Sequence, residues 1–79
     1  MIPEWYVLAI DQGTSSSRAV LYDSCGNEQR SASREVFSSF PRPGWVEQDA
    51  VAIWEGVITC AREVAKGSEH LIRAVGITN

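Results

Sequence analysis

A run of apolar residues, Trp5-Tyr-Val-Leu-Ala-Ile10, stops abruptly at Asp11. It is short, aromatic and branched, which predicts a strand buried on both faces rather than a buried helix. Such a strand has to be covered by other layers, so the segments that follow it decide the fold. Asp11-Gln-Gly-Thr-Ser-Ser-Ser17 reads as a polar turn with one glycine, and Arg18-Ala-Val-Leu-Tyr-Asp23 as a second strand. In Asp23-Ser-Cys-Gly-Asn27, Gly26 and Asn27 are the residues able to take positive φ. Glu28 to Phe37 predicts a third strand, polar enough to lie at an edge or to face water. Together these segments read as a three-stranded antiparallel meander.

The meander is followed by Ser38-Ser-Phe-Pro-Arg-Pro-Gly44, which the two prolines and the glycine exclude from regular structure. Trp45 and Val46 are expected to plug this loop onto the body. Asp49 suits a helix N-cap, with acidic Glu47 near the positive helix end. Trp54, Val57, Ile58, Ala61, Val64 and Ala65 recur at three- and four-residue spacing, the apolar stripe of an amphipathic helix. Gly67 is placed to end it. Leu71 to Thr78 predicts a fourth strand, returning parallel to a neighbour through a right-handed crossover. The order β-β-β-α-β defines an α/β fold, the opening part of a ribonuclease-H-like layer. A last strand laid beside the first would leave a bare edge, which points to a truncated chain and predicts self-association by strand pairing.

Bulk properties narrow the function classes. With 79 residues, the chain is one small domain, able to bury only about 60–65% of its unfolded surface. Apolar residues make up 44% and charged residues 22%, an ordinary globular balance. Net charge is −3, and Arg18, Arg30, Arg34, Arg42, Arg62 and Arg73 are scattered, so no nucleic-acid partner is expected. Cys25 and Cys60 make neither a close pair nor a zinc set, and are expected as reduced thiols of a cytoplasmic protein. His70 lacks a nucleophile and an orienting partner and is expected in a solvated loop. No stretch reaches the ~20 apolar residues of a membrane span, and the start has no basic region of a signal peptide.

The chemistry concentrates in Asp11-Gln-Gly-Thr-Ser-Ser-Ser-Arg18. Gly13 lets backbone approach a bulky ligand, and amide donors around a bend can converge on an anion. Thr14, Ser15, Ser16 and Ser17 offer hydroxyl donors to phosphate oxygens, and Arg18 adds a permanent positive charge. Asp11, at the end of a buried strand, suits a hydrated magnesium ion, which takes one or two carboxylates and keeps several waters. By residue type alone, a solvated hairpin loop fits equally well. The turn does not open a helix, so it is neither a Walker loop nor a dinucleotide fingerprint.

This octet resembles the first phosphate motif of the FGGY carbohydrate kinases, a branch of the actin-like ATPases, most closely in its glycerol kinase form. Phe40-Pro-Arg-Pro-Gly-Trp-Val-Glu-Gln-Asp49 resembles the family's Pro-Gly-Trp-Val-Glu segment. Ala74-Val-Gly-Ile-Thr-Asn79 resembles the strand that runs into Gln-Arg-Glu-Thr in glycerol kinases. The resemblance covers essentially the whole chain and implies that residues 1–79 are an incomplete N-terminal portion of the first kinase domain, without the second. It implies ATP and Mg2+ as cofactors and glycerol as the substrate, phosphorylated at a terminal hydroxyl. Asp11 would sit near the metal, Thr14 would contact the transferred phosphate, Ser15 and Ser16 would hold nucleotide phosphates with Gly13 beside them, and Arg18 would reach them from the next strand. The catalytic base and the glycerol grip match no position of this chain, so it carries no catalytic residue and is expected to be inactive alone. A homo-oligomeric parent is expected. Xylulokinases and gluconokinases share the overall pattern, and a non-enzymatic binding module that reuses the hairpin is the reading from another class.

Overall fold

A computed structural model describes residues 5–13, 15–36, 38–39, 47–48 and 50–78. The strands are β1 (Tyr6–Gln12), β2 (Ser16–Asp23), β3 (Glu28–Glu35), β4 (Ser38–Ser39), β5 (Glu47–Gln48) and β6 (Ile72–Thr78). One helix, α1 (Ala50–Ala65), and a 3-10 turn (Glu69–Leu71) lie between β5 and β6. The main sheet has the order β3-β2-β1-β6, and β4 pairs with β5. β1, β2 and β3 form the expected antiparallel meander, while β6 returns parallel to β1 after α1. That return is the βαβ crossover. β3 is the polar edge strand, and β6 forms the opposite edge.

Alternation along the strands divides the sheet into two faces. Leu8, Ile10, Ala19 and Leu21 point to α1 and meet Cys60 and Val64 in one buried cluster. Tyr6, Ala32, Val57, Ala61 and Ile72 pack around it. The opposite face carries Val7, Ala9, Asp11, Arg18, Val20 and Tyr22. Val20 is buried there, whereas Val7 and Ala9 are half-buried. The expectation of a strand buried on both faces is thereby corrected: among the described residues, one helix covers one face only.

The helix seat also differs from its expected stripe. Val57, Ala61, Val64 and Ala65 face inward as read, but Trp54 is 63% exposed. Gly56 and Cys60 lie at the seat instead. A Cβ added at Gly56 would come within 3.9 Å of both Ser17 Oγ and Arg34 Cβ, and Cys60 is fully buried. Small residues thus face β2 and β3, and Trp54 stands at the rim. There it lines an apolar groove of about 300 Å³ with Ile10, Ile53, Val57 and Ile77.

The punctuation residues behave largely as physical chemistry requires. Gly26 and Gly67 adopt φ of 86° and 84°. Asn27 does not have a positive φ, because Asp23 already closes the β2–β3 turn: Cys25 and Asn27 both donate backbone N–H bonds to Asp23 Oδ1. The Asn27 bond above all holds the Asp23 carboxyl below its usual range. Gly67 ends α1, and Arg30 of β3 donates to the carbonyl oxygens of Lys66 (2.6 Å) and Val64 (3.4 Å), satisfying orphan acceptors at the helix end. The segment from Ser38 holds one regular piece after all, the Ser38–Ser39 ladder with Glu47–Gln48. Phe37, the loop through Trp45 and Val46, and the Asp49 cap lie outside the described residues. His70 is exposed, in the 3-10 turn.

Both cysteines are free, Cys25 exposed and Cys60 buried. Burial pushes the Cys60 thiol above its ordinary pKa, and Arg34 only partly opposes this. Of these two thiols, iodoacetamide is expected to modify Cys25 in the folded protein and Cys60 only after denaturation, as read by mass spectrometry. Equal labelling of both in the native state would contradict this core.

Candidate phosphate-binding site

The polar turn is tighter than its sequence suggests. β1 extends to Gln12 and β2 begins at Ser16, with Gln12 opposite Ser17 and Asp11 opposite Arg18. The Gly13 N–H donates to Ser16 O (2.8 Å), and the Val36 N–H donates to Ser15 O (2.9 Å). Gly13's amide is therefore used within the hairpin. What Gly13 offers a ligand is exposed backbone without a side chain.

Three adjacent strands bring together a row on the face opposite α1. Arg18 of β2, Asp11 of β1 and Thr78 of β6 are aligned by the two registers. Thr78 Oγ1 donates to Asp11 Oδ1 at 3.3 Å. All three residues are exposed. Alternation puts Ser16 on the same face, while Ser15 is exposed in the turn. Arg18 also meets Glu28 Oε1 at 3.4 Å, with both side chains about half exposed. An exposed pair of this kind is worth about 0–1 kcal/mol, so a phosphate can displace it. Of the expected site residues, Asp11, Gly13, Ser15, Ser16 and Arg18 are gathered at one end of the hairpin. Thr14 lies outside the described residues.

Ser17 departs from its reading as a phosphate donor. It is 1% exposed, faces α1, and its hydroxyl donates to Gln12 Oε1 at 2.5 Å. Thr78 was missed as a site residue. The signal available for it was the parallel crossover, which sets the carboxyl ends of β1 and β6 side by side, where ligands of open α/β sheets bind.

The donor set is compatible with magnesium. Among the described residues no group of three or more His, Cys, Asp or Glu could hold a metal. A single exposed carboxylate such as Asp11 suits an ion that takes its remaining ligands from water and phosphate. Arg18, the neighbouring serines and the bare Gly13 backbone supply charge, hydroxyls and room for an anion at the same end.

The N-terminal domain of the FGGY family of carbohydrate kinases matches residues 6–79. A glycerol kinase from Citrifermentans bemidjiense is 51% identical over 77 residues, covering 94% of this chain and 16% of that protein. The chain thus spans about one sixth of the length of the curated relatives it matches. The crystal structure of a gluconate kinase from Lactobacillus acidophilus superposes with a TM-score of 0.85 at 25% identity, covering 92% of this chain and 15% of that one. A Plasmodium falciparum glycerol kinase with ADP gives a TM-score of 0.79 at 29% identity, covering 94% and 16%. With the match running through nearly every described element, the chain belongs to the FGGY family of carbohydrate kinases.

Proposed function

We propose that this chain is the N-terminal phosphate-binding part of an ATP-dependent glycerol kinase, which transfers the γ-phosphate of ATP to a terminal hydroxyl of glycerol to give glycerol 3-phosphate. The observation that carries the reading is the Arg18–Asp11–Thr78 row beside the Gly13 turn, in a chain about half identical to glycerol kinases. Residues 1–79 are then the opening portion of the first kinase domain, and a cytoplasmic location suits an ATP-consuming enzyme.

Phosphoryl transfer depends mainly on positioning and charge stabilisation. In this reading Thr14, Ser15 and Ser16 donate hydrogen bonds to nucleotide phosphates, and Arg18 exchanges Glu28 for a phosphate oxygen. Asp11 holds Mg2+, which when bound neutralises charge on the phosphates. Thr78 steadies the Asp11 carboxylate through the oxygen it donates to. No residue of this chain is assigned to glycerol or to the base that takes its proton.

The test is ATP turnover by the purified full-length kinase with glycerol, gluconate and xylulose as separate acceptors. Glycerol is expected to give the highest kcat/KM. A gluconate or xylulose preference would keep the family and overturn the substrate. That second reading is favoured by the structural likeness to a gluconate kinase and a xylulose kinase, at TM-scores of 0.85 and 0.79.

A further inference from the structure

The turn has a second side, which the phosphate reading leaves without a role. Gln12 and Ser17 face α1, back to back with Asp11 and Arg18. The Ser17 hydroxyl, buried beneath the helix, donates to Gln12 Oε1 at 2.5 Å. The Gln12 side-chain Nε2 donates in turn to the carbonyl of Gly13 at 3.0 Å. From the helix side, Cys60 Sγ lies 3.8 Å from the Ser17 carbonyl oxygen as a weak donor, and Gly56 faces the Ser17 hydroxyl. A continuous link therefore runs from the packed core through two side chains to the backbone of the turn.

A serine oxygen buried this deeply needs a partner, since an unpaired buried hydroxyl is costly. Gln12 meets that need and still has its amide nitrogen free for the turn. Holding the Gly13 carbonyl therefore ties the start of the turn to the buried Ser17 hydroxyl.

The geometry points to Gln12 and Ser17 as positioning residues for phosphate binding: a hydrogen-bond relay from α1 that holds the turn in one shape before nucleotide arrives. The relay rests on the phosphate-binding reading of the turn. Neither side chain touches phosphate. They act by removing alternative backbone arrangements that a ligand would otherwise have to select against.

The test uses the full-length kinase and measures ATP affinity by calorimetry together with KM for ATP and for the acceptor. Ser17→Ala is expected to weaken ATP binding about five- to tenfold, the loss of one part-buried hydrogen bond, with acceptor KM unchanged. Gln12→Leu, at a half-buried position, breaks the same link without emptying the core and is expected to give the same loss. The double variant is expected to be no weaker than either single one, because both cut one relay. Ser17→Thr keeps the hydroxyl and is expected to restore affinity. Wild-type ATP affinity in both single variants would overturn the relay while leaving the phosphate site standing. Equal losses for ATP and acceptor, or additive losses in the double variant, would also overturn it, showing general destabilisation. A wild-type kinase that binds no ATP would overturn the phosphate reading itself.

Discussion

Asp11→Ala in the full-length kinase is expected to lower kcat by about a hundredfold or more, with Thr14→Ala falling similarly and melting temperature unchanged. Asp11 is the one carboxylate in the Arg18–Asp11–Thr78 row, and it stands on the open face, exposed, outside the core cluster. In the proposed site, its removal would take away the carboxylate offered to the nucleotide's metal, without opening a cavity. Exposed substitutions of this kind ordinarily move stability by no more than about 0.5 kcal/mol, so an activity loss cannot be attributed to unfolding. A kcat close to wild type in both variants would show that the hairpin is only a loop. Asp11→Asn separates charge from shape: it keeps the acceptance from Thr78 and is expected to fail as Asp11→Ala does.

The largest stability effect is expected at Leu21. It is 1% exposed and packs in one cluster with Leu8, Ile10, Ala19, Cys60 and Val64, joining β2 to β1 and α1. Leu21→Ala is expected to cost about 2–5 kcal/mol, the lost transfer energy plus the cavity left behind. The measurement is amide hydrogen exchange in the full-length kinase, where β1, β2 and α1 should lose protection together. Leu21→Met conserves volume and is expected to cost less than about 1.5 kcal/mol. Protection unchanged by Leu21→Ala would mean that this cluster does not hold the sheet to the helix.

Much of the element order was legible because the punctuation was strong. Asp11 closes a continuous apolar run, Gly26 and Gly67 take the positive φ their positions require, and the spacing from Val57 to Ala65 has the helical period. Misreadings came where hydrophobicity and packing part company. Trp54 has the spacing of a core residue, yet it stands exposed while the small Gly56 and the buried Cys60 face the sheet. Ser17 looked like its neighbours because residue type does not tell which face of a hairpin a serine occupies. Only the register, Gln12 opposite Ser17, places it under the helix. Thr78 needed the partner strand as well: the bond to Asp11 joins residues far apart in sequence.

The back-to-back arrangement of the hairpin has a consequence for how it can vary. Side chains alternate strictly between the two faces, so shifting one strand by a single residue would carry the charged row under α1 and bring the amide–hydroxyl pair out to the open face. Substitutions act on one face at a time, whereas an insertion or deletion between Asp11 and Arg18 would scramble both at once. The quantity this hairpin has to conserve most strictly is its length, more than the identity of any one residue along it.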